Sequence, residues 1–230
     1  VSSSCWIQDR STMDLIRDQS STSVCVLSRE WYRECTPIIQ LTYDENMSVD
    51  PAKLRIEVYP TEVLRTKATE VETSDEVRSV AMRMIDLMRG AEGIGLAAPQ
   101  VGLTWRMFVA HVPVHEDDPI DPVIRSNTDE PQVFINPEII EYSRDLKPYD
   151  EGCLSLPGIT GEVNRPSTVT MRALDLDGNQ VEVKATGLLA RCWQHEIDHL
   201  DGVLILDKMS QMSRLKNRSR IRSMEKSKKR

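Results

Sequence analysis

The chain has 230 residues, 40% of them hydrophobic and 28% charged, with a formal net charge of −7. That length suits one domain with appendages and a sizeable core. No apolar run nears the ~20 residues that a membrane-spanning helix needs, so no membrane partner is expected.

Residues 1–46 hold eight Ser, no Gly, seven acids and four Arg. They lack the basic start and apolar stretch of a secretory signal, and they carry too many acids for an organelle transit peptide. The expectation is a disordered extension, with Met47 as the natural start and the upstream stretch the product of a misplaced one. Regular structure is expected from Leu54, where "LRIEVYPTEVLRTKATEV" reads as a short strand and a loop. Residues 73–89 read as a helix. Thr73-x-x-Glu76 is a capping box, Val77, Val80, Ala81, Met84, Ile85 and Met88 make an apolar stripe, and Gly90 terminates it.

"RMFVAHV" and "QVFINPEII" read as strands, separated over 113–131 by an exposed loop with four Pro. "STVTMRALDLDGNQVEVKA" alternates on both sides of Asp177-Gly178, a hairpin signal. A last helix runs from near Thr186 to near Gly202. Strands outnumber helices without βαβ alternation. The expected fold is therefore α+β, with mainly antiparallel sheets around a C-terminal helix. Residues 208–230 carry ten Lys or Arg against one acid, Glu225, which makes them +9 and leaves −16 on the rest. A basic tail on an acidic body points to a polyanion partner; the plainer alternative is a solvated, frayed end. The five cysteines show neither a disulfide framework nor a Cys-x-x-Cys clip, which suits reduced thiols in a cytoplasmic compartment.

The last helix carries His195-Glu196-Ile197-Asp198-His199. Two His four apart share a helix face and can share a metal, while the Glu between them takes a proton from water. Leu188 and Cys192 lie on the same face. A hydrolytic metal site needs a third ligand and an open position. His111 and His115 are possible but flank the charged loop, and beyond the helix only Asp201 and Asp207 follow. The ligand is expected upstream. "EGCLSLPG" offers the Cys153 thiolate, against the commoner reading of a buried structural Cys. In "EGIGLAAPQVG", Gly93 and Gly95 let the backbone approach a ligand, and Gln100 can donate to an oxygen.

Together, "GIGLAAPQ", "EGCLSLPG" and "QHEIDHLDG", with "VYPTEVLRTKATEV" ahead of them, resemble the peptide deformylase family from about Leu54 to Met209. The family's N-terminus falls near residue 50, which agrees with a start at Met47. The resemblance implies a catalytic domain over 47–209 and a basic C-terminal tail over 210–230. It implies that Cys153, His195 and His199 bind one divalent metal. In the family this is Fe2+, replaceable by Ni2+, Co2+ or Zn2+. It implies removal of the formyl group from N-formyl-methionyl nascent peptides in a bacterial-type cytoplasm. Glu196 would move the proton; Gln100 and the Leu154 backbone N–H would hold the oxyanion in a pocket that Gly95 lines. Ile94, Leu188 and Cys192 are candidates for the methionine pocket. Arg191 either borders that pocket or faces solvent, and Arg165 pairs with Glu151 to steady the Cys153 segment. The basic tail would meet ribosomal RNA, as a C-terminal helix does in some members. The competing readings are a zinc-type metalloendopeptidase, which does not normally use Cys as a third ligand, and a non-catalytic ribosome- or RNA-binding relative.

Overall fold

The structure, a computed structural model, describes residues 48–114 and 123–227. The readings of residues 1–46, of Met47 and of His115 lie outside the described residues.

Helix α1 spans Asp75–Gly90 and buries all six stripe residues, Val77 to Met88. Its cap differs from the expected box. Ser74 is extended (φ −154°, ψ 168°), and its side chain accepts from the Val77 N–H at 3.2 Å. Glu76 instead accepts from Val49 N–H at 2.5 Å, tying down the preceding chain. Thr73 and Ser74 can both cap; the backbone entering from Glu72 puts Ser74 in the capping conformation. Nor does Gly90 stop the helix. It is still helical, and the left-handed residue is Glu92 (φ 55°), after which Gly93 N–H closes on Met88 O at 2.9 Å.

The expected strand near Leu54 does not form. Residues 54–59 run extended and bond singly to two other segments, Glu57 N–H to Gln100 O (2.8 Å) and Tyr59 N–H to Ser155 O (2.9 Å).

The main sheet is antiparallel, in the order β1 (Gly95–Ala97), β2 (Met107–Ala110), β3 (Gln132–Tyr142), β6 (Thr168–Leu174), β7 (Gln180–Thr186). β6 and β7 form the hairpin expected around Asp177-Gly178, with Gly178 at φ 80°. The all-apolar β2 has no polar face because both of its faces are covered. Met107 and Val109 pack with α1, whereas Phe108 and Ala110 pack with α2 (Gly187–Leu200). On the α2 side Trp193 is fully buried and meets Phe134 edge-on at 5.3 Å. Truncating it to Ala would cost ~3–5 kcal/mol.

A second sheet was not anticipated: β4 (Leu146–Gly152) pairs with β5 (Thr160–Pro166), and "CLSLPG" is the connection between them. It stands on a third apolar cluster with Leu64, Leu156, Ile159, Val163 and Leu204 to Leu206. After a single turn, α3 (Ile205–Lys208), the basic C-terminal segment forms a 17-residue helix, α4 (Gln211–Ser227), so α2 is not the last helix. No helix among the described residues is long and apolar enough to cross a membrane.

Candidate active site

Three elements converge below the β4–β5 hairpin. α2 presents His195 and His199 one turn apart, the β4–β5 connection presents Cys153, and the turn after β1 presents Gln100. Among the described residues, Cys153, His195 and His199 form a group whose ligand atoms lie within 4.8 Å of one another, with Cys153 Sγ 3.2 Å from His199 Nε2. His111 is not in this group. Asp201 and Asp207 are engaged elsewhere, by Arg106 at 2.8 Å and by Arg65 respectively.

His195 is aimed by a buried carboxylate. Its Nδ1 lies 3.1 Å from Glu151 Oε2. A carboxylate only accepts, so Nδ1 carries the proton and Nε2 is left as the ligand atom. Glu151 also takes two bonds from Arg165, Nε at 2.7 Å and Nη2 at 2.9 Å, as expected, and one from Arg191 Nη1 at 2.7 Å. Arg191 is therefore buried, not solvent-facing. It ties α2 to both strands of the hairpin through Val163 O (3.0 Å) and Lys147 O (2.6 Å), and it lies over the Tyr149 ring. Burial alone would raise the Glu151 pKa. The bonds from His195 and Arg165 and the Arg165 charge outweigh it and hold the carboxyl well below the usual range.

Glu196 is buried beside this group. Burial pushes its pKa up to about 7, and its Oε2 has no partner among the described residues. Burial and the neighbouring His195 charge keep His199 low, as a neutral imidazole. Burial also opposes charge on His195, but Cys153 and Glu151 raise its pKa well above the ordinary value. The Glu151 carboxylate that favours a proton there would also favour a cation on Nε2.

Gly95 admits nothing larger than hydrogen: a Cβ there would sit 2.3 Å from Glu196 Oε1 and 2.8 Å from Cys192 Sγ. A Cβ on Gly93 would meet Leu154 Cδ1 at 2.7 Å. Gln100 is oriented by its own turn. Its Oε1 accepts from Ala97 N–H (2.8 Å), which leaves Nε2 to point at Ser155 Oγ (3.3 Å) and Cys153 Sγ (3.5 Å). The cleft above, about 500 Å³, is lined by Ile94, Gly95, Gln100, Cys153, Leu154, Leu188, Cys192 and Glu196, and also by Glu92, Tyr149 and Arg191. Sequence reasoning missed Ser155, fully buried against Gln100 within a stretch it had already singled out.

The sequence pattern of the family described as polypeptide deformylase matches residues 53–215. A peptide deformylase of Thermodesulfovibrio yellowstonii is 43% identical over 164 residues, 71% of this chain and 93% of that protein. One from Chromohalobacter salexigens is 47% identical over 164 residues, 71% of this chain and 89% of that protein. The crystal structure of peptide deformylase from Ehrlichia chaffeensis superposes with a TM-score of 0.69 at 35% identity, covering 76% of this chain and 98% of that one. The Thermotoga maritima structure gives 0.61 at 37% identity, covering 68% and 97%.

Proposed function

The chain belongs to the polypeptide deformylase family, and from that premise we propose that Cys153, His195 and His199 hold one divalent cation while Glu196, Gln100 and Leu154 carry the reaction. The activity is metal-dependent hydrolysis of the formyl group from N-formyl-methionyl nascent peptides, with release of formate. The observation that carries the site assignment is the close approach of one thiol and two imidazoles next to a buried carboxylate, Glu196, whose Oε2 has no partner among the described residues. One thiolate and two imidazoles fit a borderline divalent ion with a position left over for chemistry.

A cation held there supplies Lewis acidity, which acidifies water near neutral pH. Glu196 accepts a proton from the attacking water and delivers it to the amine that leaves. The carbonyl oxygen gains charge as attack proceeds, and Gln100 Nε2 and the Leu154 N–H are the donors for it. Gly95 keeps the wall thin enough for the small formyl group to reach Glu196. Ile94, Leu188 and Cys192 receive the methionine side chain. They are apolar or nearly so, and burial together with the Glu196 charge holds the Cys192 thiol protonated.

The metal we propose is Fe2+, with Ni2+, Co2+ or Zn2+ as replacements, as membership of the family implies; the ligand set itself accepts several divalent ions. Anaerobic purification with metal analysis and a formate-release assay tests the reading: about one metal per chain and formate from a formyl-Met peptide are expected. Cleavage of internal peptide bonds without formate release would sink it in favour of an endopeptidase.

We also propose that the exposed cations of α4, among them Lys216, Arg218 and Arg222, meet ribosomal RNA in a bacterial-type cytoplasm. Deleting residues 211–230 should weaken co-sedimentation with ribosomes at low salt; unchanged binding would refute this.

A further inference from the structure

The C-terminal helix reaches the mouth of the cleft. Ser213, Asn217, Ile221 and Met224 recur along one side of α4, and that side is the one turned inward. Asn217 Nδ2 donates to Thr160 O (2.7 Å), and Ser213 Oγ accepts from Glu162 N–H (3.0 Å), fastening α4 to β5. Ile221 and Met224 join the apolar cluster that holds Leu156, Ile159 and the Cys153 side chain.

Arg220 goes further. Its Nη1 donates to Gly158 O at 3.0 Å. Its guanidinium also covers the Gly158 α-carbon, where a Cβ would come 2.5 Å from Nη1 and 2.6 Å from Cζ. Gly158 has φ +69° and, with Pro157, lines the cleft. The turn's own backbone bonds, Leu156 N–H to Cys153 O and Ile159 N–H to Leu156 O, leave the Gly158 carbonyl to Arg220.

We propose that Arg220 is a positioning residue for substrate binding: it holds the Pro157–Gly158 lip of the cleft in one place, making α4 part of the binding machinery. This rests on the cleft being the formyl-Met-peptide site. It also extends past residue 215, where the family pattern ends. A glycine in the left-handed region is among the easiest places for a chain to swing. A lip fixed before the peptide arrives spares the ordering cost of binding. Arg220 touches none of the reacting groups, so its loss should act on KM and leave kcat nearly alone.

The test uses the full-length, metal-loaded protein and its Arg220→Ala and Arg220→Lys variants. Formate release from a formyl-Met tripeptide is measured beside hydrogen exchange of the amides of residues 154–160. Losing one exposed, charge-assisted hydrogen bond should raise KM about five-fold, with kcat changed less than about two-fold. Exchange at residues 156–160 should quicken in Arg220→Ala, metal content should hold, and Arg220→Lys should recover most of the KM. An unchanged KM, or a fall in kcat alone, would overturn the proposal. If the parent released no formate, the reading of the cleft would fail. Exchange would then still decide the brace, supporting it if protection is lost in Arg220→Ala and overturning it if protection is unchanged.

Discussion

Replacing Gly95 with Ala adds one methyl group to the tightest point of the site. Its three nearest atoms would be Glu196 Oε1 at 2.3 Å, Cys192 Sγ at 2.8 Å and Glu196 Cδ at 2.8 Å. Ordinary contact begins near 3.4 Å, so the carboxylate must retreat by about 1 Å. It has little room, since Glu196 is 3% exposed and Cys192 behind it 4%. Overpacking of this kind costs ~1–3 kcal/mol, which lowers Tm by roughly 4–8 °C at the middle of that range. Moving the carboxylate proposed to transfer the proton by that distance should lower kcat/KM about 10²-fold. None of the three atoms belongs to Cys153, His195 or His199, so bound metal should stay near that of the parent. Formate release, metal analysis and thermal melting are measured together. Gly90→Ala is the control: a Cβ there meets nothing within 4 Å, and activity should hold. A Gly95→Ala protein that turns over like its parent would refute the close approach of this backbone to Glu196.

Glu196→Ala should retain metal and lose about 10²–10⁴-fold in kcat, since it removes the proton carrier but no ligand; full activity would end the mechanism. Cys153→Ala should lose metal as well as formate release, and undiminished metal content would show that the thiolate is not a ligand. Glu151→Gln should change the acid response. The folded Glu151 pKa lies below its ordinary 4.5, so its stabilisation is complete above that value and drains away as pH falls from it toward the depressed folded one. Urea midpoints of the parent should fall on acidification below about 4.5, and those of the variant should fall less steeply. At neutral pH the variant should be weaker, by less than the ~3–5 kcal/mol of a buried charge left wholly unpaired, because Arg191 loses its carboxylate but keeps Val163 O and Lys147 O, and Arg165 keeps Asp198 at 2.8 Å. Parallel pH curves for the two proteins would refute the assignment.

What could be read without coordinates was what is locally periodic or chemically rare. The α1 stripe, the Asp177-Gly178 hairpin and the two-histidine helix each declare themselves within a few turns of chain. The β4–β5 hairpin did not. Along β5 burial alternates strictly, with Gly161, Val163 and Arg165 inward, but hydrophobicity does not, because one inward residue has no side chain and another is charged. β4 turns a single residue inward, and that one is Glu151. α4 was hidden for a related reason: two of its inward contacts, Ser213 and Asn217, are polar.

Arg191 shows why such positions resist prediction. A charged helix residue taken alone belongs in solvent. It is stable inside because Glu151 and two backbone carbonyls receive it, and Glu151 is stable because Arg165, Arg191 and His195 surround it. No member of the set makes sense before the others are placed, and they lie on three different elements. Yet this carboxylate is what turns His195 Nε2 toward Cys153 and His199. The proposed metal ligands could be named from sequence because the His-Glu-x-x-His spacing and the family resemblance point to them. The hairpin that aims one of them could not, because its own inward face was given to charges that serve the site at the expense of any apolar pattern.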